Sequence, residues 1–449
     1  MVRDLPSNRS KIALATLAGT AIEWYDFFVY GIAAALVFGK AFFPQLGPTT
    51  GLLLSFATFG VSFVARPFGG VVAGQIGDRL GRKTVLVFTL MLMGASSVGI
   101  GLLPGYAHLG VLAPILLVAL RFLQGLAVGG EWGGAAVLAV ESAPASRRGL
   151  WGSFPQMGGP LGLLLANAAT LLTSYFVGSE QFLEWGWRIP FLASAILVVL
   201  GLIIRRSIVD PTEAEIAVAS GGIWQPLINV LQTRKSVTIA LVLVQAGLNI
   251  AFYIFSLTSL SYLTKEVGVS RNLALAAVMI GAAVNFCLQP IFGAISDRVG
   301  RGTTMIAGNL FLCGMGYLYY QLTATGDPAL IVLAMVLGLG VGHAAVYAPL
   351  AALLAEQYET TSRYTGVSLA NQAANLLWSA PTPFAAIYLT QLYPGSTVPL
   401  SLLLISAGAI SVIGIVWLEL TKSQKGAAGD ISVNGAGTDS RKIEGESLA

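Results

Sequence analysis

Residues 74–83 read GQIGDRLGRK and residues 293–302 read GAISDRVGRG. Both fit G-x-x-x-D-R-x-G-R, one in each half of the chain. A second pair repeats the relation. Glu141 precedes Arg148 by seven positions and Glu356 precedes Arg363 by seven, and the two pairs are separated by nearly the same stretch as the two turns. Matched motifs at nearly one offset predict a chain built of two structural copies.

Composition says where such copies reside. Of 449 residues, 55% are hydrophobic and 10% charged, with a mean hydropathy of +0.77. Soluble domains carry about 25% charged residues, so a cytosolic enzyme and a nucleic-acid-binding protein are both excluded. The net charge of +4 reads as membrane topology before it reads as affinity for an acidic partner. Cys287 and Cys313 are the only cysteines. Two thiols build neither a disulfide framework nor a zinc site, and both are expected as small core residues.

Apolar stretches of about 20 residues span ~30 Å of hydrocarbon as helices. Twelve are predicted, at 12–38, 52–76, 84–104, 112–141, 150–177, 188–206, 236–263, 273–296, 303–323, 329–355, 364–392 and 398–420. No cleavable leader is expected, because the basic N-terminus runs into an apolar segment too long for one. With both termini cytoplasmic, 19 of the 25 Lys and Arg fall in the N-terminus, the inner loops and the C-terminal tail, and only Lys40, Arg188, Lys265 and Arg271 lie outside. That is a strong positive-inside bias. The fold class is therefore an all-α membrane protein of two six-helix halves. Residues 1–206 form the first bundle, 207–235 a cytoplasmic linker, 236–420 the second bundle, and 421–449 a tail expected to be disordered from its Gly, Ser, Asn and Asp content.

The repeated turns suit gating. Asp78, Arg79 and Arg82 fall beside Glu141 and Arg148, and Asp297, Arg298 and Arg301 beside Glu356 and Arg363. Such groups are expected to interlock helix ends on the cytoplasmic side as a two-state switch, whose release would let that side open.

Ionisable residues inside a span cost about 2.5–3.5 kcal/mol on insertion scales and mark functional sites. There are five: Glu23 and Asp26 in helix 1, Arg66 in helix 2, and Arg121 and Glu131 in helix 4. At ~1.5 Å per residue, Asp26 and Arg121 both reach the region near the midplane. Glu23, Asp26 and Tyr30 share a helix face. Arg66 and Glu131 lie nearer the cytoplasmic ends and suit a second pair, either a structural salt bridge or part of the site. An anion that engages Arg121 would release its hold on Asp26 and favour protonation there, which links proton to substrate.

The second half has no charge inside its spans. It offers amide and aromatic rows instead: Gln245, Asn249 and Tyr253 on helix 7, Asn285 and Gln289 on helix 8, His343 and Tyr347 on helix 10, and Asn371, Asn375 and Trp378 on helix 11. These fit either a polar cavity wall or helix–helix hydrogen bonds. His343 is expected as a hydrogen-bonded core histidine, and no metal site is expected.

The strings EWYDFFVYG (23–31), RPFGGVVAGQIGDRLGRK (66–83) and RFLQGLAVGGEWGGA (121–135) resemble the major facilitator superfamily, and within it the metabolite:H+ symporter family, nearest its shikimate-permease-like branch. The resemblance implies proton-driven uptake by alternating access across a bacterial cytoplasmic (inner) membrane. Family substrates include shikimate, 2-oxoglutarate, citrate, aromatic carboxylates, proline and betaine. It also implies that the helix 1 acids correspond to Glu23 and Asp26 and the helix 4 arginine to Arg121.

The leading expectation is symport of a small organic acid with H+, with Arg121 and Arg66 holding the carboxylate, Asp26 or Glu23 carrying the proton, and the amides and aromatics of the second half reading the rest. Uptake of a zwitterionic osmolyte is the alternative. Drug export by proton antiport fits the loops but not the helix 1 and helix 4 strings. A membrane-embedded enzyme lacks support, since neither H-E-x-x-H nor G-x-S-x-G is present. No cofactor beyond the coupling proton is expected, and a monomer suffices.

Overall fold

In the computed structural model the backbone is described for residues 6–80, 82–129, 131–206, 225–360 and 362–443; the side chains of 1–9, 71–87, most of 202–229 and 422–449 lie outside the described residues. Long helices follow one another, with no strand among the described residues. They are α1 (Ser10–Phe42), α2 (Pro48–Leu80), α3 (Arg82–Leu102), α4 (Leu112–Glu141), α5 (Arg148–Val177) and α6 (Arg188–Arg206). The second set is α7 (Lys235–Lys265), α8 (Arg271–Val299), α9 (Arg301–Ala324), α10 (Pro328–Ala355), α11 in three pieces (Arg363–Ala374, Asn375–Ser379 and Thr382–Leu392) and α12 (Val398–Ile443).

Among the described residues, eight of these are apolar and long enough to cross a membrane, or nine if the bent pair Ser179–Gly186 and Arg188–Gly201 is one span. The remaining three are less uniform for visible reasons. The apolar part of α3 is only Phe88–Leu102. Polar residues such as Asn309, Tyr319 and Tyr320 interrupt α9, and α11 is broken at Pro381.

The duplication appears directly in the packing. In the first half α1 lies on α5, α2 on α4, and α3 on α6; in the second, α7 lies on α11, α8 on α10, and α9 on α12. Each pairing has its counterpart six helices later. The halves meet where α5 packs on α8 and α2 on α11, again a symmetric pair of contacts.

Small residues let the backbones approach. On α4, a Cβ at Gly125 would collide with the Ser62 backbone and one at Gly129 with the Arg66 carbonyl. This four-residue glycine spacing is the close-packing pattern of membrane helices, and it brings α2, with Arg66, hard against α4. The outer perimeter exposes Phe88, Ile115, Ile196, Leu310, Leu402 and Ile413, as a surface facing lipid requires.

One expectation changes here. Cys287 is exposed on α8 and Cys313 half-buried, because an apolar thiol is as much at home facing lipid as in a core. The backbone of α12 continues as helix to Ile443, through the stretch whose composition predicts disorder. Residues 207–224 of the expected linker lie outside the described residues, and the remainder includes a short helix, Gln225–Thr233.

Candidate functional site

A cavity lies between the halves, lined by Glu23 and Trp24 of α1, Arg66 of α2 and Trp132 of α4 on one side. On the other are Leu248, Asn249 and Phe252 of α7, His343, Tyr347 and Leu350 of α10, and Asn371 and Asn375 of α11. It is nearly collapsed, at ≈ 20 Å³, room for about one water. Local π-helical turns at Ile254–Thr258, Val336–Gly342 and Asn375–Ser379 flank it, and such turns recur at functional sites because they redirect side chains from the regular helical face.

Arg66 is the cation of this cavity. Its guanidinium lies 4.7 Å from the centre of the Phe63 ring and 5.1 Å from that of Phe27. The residue is only 4% exposed, and its buried Nε has no hydrogen-bond partner among the described residues. Glu23 supplies the carboxylate on the same wall.

Arg121 and Asp26 sit elsewhere, inside the first bundle. Arg121 stacks over Tyr30 at 4.2 Å, Phe27 at 4.8 Å and Phe59 at 4.9 Å. Its Nη1 donates to Gln124 Oε1 at 3.0 Å, and Gln124 Nε2 donates to Ser97 Oγ at 2.7 Å. Asp26 accepts the hydroxyl of Ser194, with Ser97 alongside it. Among the described residues, Arg121 Nε and Nη2 and Asp26 Oδ2 have no hydrogen-bond partners. Arginine and carboxylate are thus near each other but linked through Gln124 and Ser97. Tyr30 is turned to α2, where its hydroxyl meets Thr58 Oγ1 at 2.6 Å. Glu131 opens the second stretch of α4 and is not among the cavity's lining residues.

The polar rows of the second half divide. Asn249, Tyr347, Asn371 and Asn375 reach the cavity. Gln245 instead donates to the carbonyls of Leu241 and Ala370, and Trp378 to that of Val242, tying α7 to α11. Gln289 donates to Asn285 Oδ1, and Asn285 Nδ2 donates to the Leu339 carbonyl at 2.6 Å and lies 3.0 Å from His343 Nδ1. An amide nitrogen only donates, so His343 Nδ1 accepts. His343 is hydrogen-bonded as expected, yet it also lines the cavity, stacked on Phe252 at 4.7 Å. Tyr253 fills the space between Phe27, Phe59 and Phe63. Trp24, Trp132 and Phe252 were not among the expected site residues; aromatic residues on apolar helices carry no sequence mark that separates cavity from core.

Charged contacts cross between the halves at the end that carries the repeated turns. Arg363 Nη1 meets Glu141 Oε1 at 2.5 Å, so each comes from a different half. Asp297 accepts the backbone N–H groups of Gly149 at 2.8 Å and Leu150 at 2.9 Å, capping α5 from the opposite bundle. Arg301 braces this carboxylate at 2.7 Å and reaches Glu356 at 3.2 Å. Arg298 is exposed, and Arg148 Nε has no hydrogen bond among the described residues. The side chains of Asp78, Arg79 and Arg82 lie outside the described residues. At the other end Arg271 of α8 donates to Ser179 at 3.2 Å and to Ser174 of α5.

Two symmetric helical bundles closed around a small cavity of mixed charge define a membrane transporter. A sequence profile described as Major Facilitator Superfamily matches residues 16–383. The chain is 39% identical over 424 residues to the inner membrane metabolite transport protein YhjE of Escherichia coli K12, covering 93% of this chain and 96% of the relative. It is 36% identical to the shikimate transporter of the same organism (91% and 94% covered) and 33% identical to the proline/betaine transporter of Salmonella typhimurium LT2 (91% and 82%). A partially occluded inward-open structure of the xylose transporter XylE from E. coli superposes with a TM-score of 0.69 at 18% identity, covering 91% of this chain and 98% of that one. The chain belongs to the Major Facilitator Superfamily, in the metabolite:H+ symporter family that its helix 1 and helix 4 strings resemble. It is a secondary transporter of metabolites and not an enzyme.

Proposed function

We propose that this protein takes up a small organic acid together with a proton by alternating access across the bacterial cytoplasmic membrane. Both termini face the cytoplasm, and a monomer carries out the cycle without any cofactor. The observation that carries this reading is Arg66: a guanidinium at the wall of a small cavity with, among the described residues, a buried donor unspent. Burying such a group costs free energy until a partner takes its hydrogen, and a carboxylate is the partner whose geometry fits. Asn249, whose Nδ2 is also unspent, together with Tyr347, Asn371 and Asn375, would read the hydroxyls or second carboxylate of the cargo.

The proton belongs on Asp26. It sits apart from the cargo, and the carboxylate has an oxygen with no donor aimed at it, open to carry hydrogen. When Asp26 is ionised, Arg121 is its natural counter-ion; when it is protonated, Arg121 is free to turn to Gln124. The Phe27 ring connects the two places, since it lies against both guanidinium groups. Arg66 takes the cargo and Arg121 the coupling role.

The aromatic walls favour a second reading. Trp24, Trp132 and Phe252 together with Glu23 suit a cationic ammonium, as in proline or betaine, with Arg66 on the carboxylate. Thermal stabilisation of the purified protein separates the two. Shikimate, 2-oxoglutarate, citrate, benzoate, proline and betaine are each added at two pH values, to the natural chain and to Arg66→Gln. A carboxylic acid that stabilises the first and is weakened about 10- to 100-fold in the second supports the organic-acid reading. Stabilisation by proline or betaine alone would replace it with the zwitterion.

A further inference from the structure

Gln156 of α5 and Gln372 of α11 occupy matching places in the two halves, at a separation close to that of Glu141 and Glu356. Each reaches across the interface in the same way. Gln156 Nε2 donates to the carbonyl of Tyr347 on α10 at 3.2 Å, and Gln372 Nε2 donates to the carbonyl of Gly129 on α4, also at 3.2 Å. The two acceptors are separated by almost the same stretch of chain as the two donors. The same relation, helix five of one half to helix four of the other, is therefore built twice. Both amides are buried, Gln156 at 0% and Gln372 at 8% exposure.

The orientation of Gln156 is fixed. Trp132 Nε1 donates to its Oε1 at 3.1 Å, and an indole N–H has no acceptor role, so the amide nitrogen must face Tyr347. Trp132 and Tyr347 both line the central cavity, from opposite halves. Gln156 thereby joins two walls of the cavity to each other. It lies eight residues along α5 from Arg148 and Gln372 nine along α11 from Arg363, so both stand ~12–14 Å inward of the ionic contacts at the helix ends.

We propose that Gln156 and Gln372 form an uncharged, two-fold-symmetric inner seal, distinct from the salt bridges beyond it, that must part before cargo leaves toward the face bearing the D-R-x-G-R turns. The chemistry suits a gate. A neutral amide–carbonyl hydrogen bond is weak enough to exchange for water on opening, whereas a buried ion pair would resist separation. Because Gln156 also holds Trp132, displacement of that indole by cargo loosens the seal from the cavity side. Among the described residues, Gln372 Oε1 has no partner, and its Nε2 makes the cross-half hydrogen bond to Gly129.

This inference rests on alternating access but not on the identity of the cargo, and the test needs no cargo. Asn249→Cys, placed in a chain with Cys287 and Cys313 replaced by alanine, is labelled with a membrane-impermeant maleimide in right-side-out and inside-out vesicles. Gln156→Ala and Gln372→Ala should each raise the labelling rate about three- to tenfold, from the D-R-x-G-R face alone, with the effects compounding in the double variant. An unchanged rate in both variants, or an equal rise from both faces, would overturn the seal. If Gln156→Ala fails to fold because Trp132 loses its partner, Gln372→Ala carries the test, since it removes the bond to Gly129 without touching Trp132. Loss of carboxylate binding with the labelling result intact would instead count against the organic-acid reading alone.

Discussion

Arg121 and Asp26, the arginine and the carboxylate buried in the first bundle, are held together without a direct hydrogen bond: Gln124 accepts from the guanidinium and donates to Ser97, which lies beside Asp26. Both charged groups keep unspent atoms, Nε and Nη2 on one and Oδ2 on the other. An arrangement with capacity left on each side has two ways to close, a direct ion pair or the relay. That choice is what a protonation step can switch, and it is made away from the cavity where Glu23 and Arg66 sit. On the proposed function, cargo and proton then occupy separate places connected by the Phe27 ring.

The Glu141–Arg363 contact predicts a charge-sensitive closure. Its partners are 40% and 20% exposed, so the pair alone is worth about 0.2–1 kcal/mol. Glu141→Arg should favour the form open at this end by a few-fold or more, because repulsion replaces attraction. Glu141→Arg combined with Arg363→Glu should restore closure. Cross-linking of cysteines placed on α4 and α11 measures this, and a double variant no better than the single one would show that the pair does not hold the halves.

Asp297 predicts a larger effect from one side chain. It caps two backbone amides of the opposite bundle and is braced by Arg301. Asp297→Ala should cost the closed form about 1–2 kcal/mol, in the range of lost helix caps. Hydrogen exchange of the Gly149 and Leu150 amides should accelerate while that of the outer half of α5 stays unchanged. Uniform acceleration along α5 would point to unfolding of the helix instead.

Glu23 predicts selectivity. As the cavity's carboxylate it opposes a second negative charge on the cargo and welcomes an ammonium. Glu23→Gln should therefore improve binding of a dicarboxylate relative to a monocarboxylate and weaken any binding of betaine, each by about tenfold, the scale of one charged hydrogen bond. Isothermal titration with both classes checks the direction. Equal change for all ligands would remove Glu23 from cargo reading.

Much of this was legible in the sequence. The D-R-x-G-R repeat and the Glu–Arg spacing gave the duplication, and the helix pairings reproduce it element by element. Of the five ionisable residues inside apolar spans, Glu23 and Arg66 line the cavity, whereas Asp26, Arg121 and Glu131 do not. What helical spacing did not convey is which way each turns. Glu23 and Asp26 are three residues apart, hence roughly 60° apart around the axis, and the edge of the bundle falls between them: one faces the cavity, the other the interior beside Ser194. Likewise Gln245 and Asn249 share a face, yet one ties α7 to α11 and the other reaches the cavity. Glu141 and Arg148 are neighbours in sequence, but Glu141 pairs with Arg363 because the halves interlock across the interface. His343 and the tryptophans were hidden for a simpler reason. The same residues serve cores and cavities, and only the packing of the second half against the first separates the two.

Flux in proteoliposomes tests the coupling most directly, comparing the natural chain with Asp26→Asn on the acid identified by binding. With an inward proton gradient, the natural chain should accumulate the acid and lose that accumulation when an uncoupler is added. Asp26→Asn should still exchange labelled for unlabelled acid across the membrane but should not accumulate it. Accumulation by Asp26→Asn that remains gradient-driven and uncoupler-sensitive would contradict the account, and the proton would have to be assigned elsewhere.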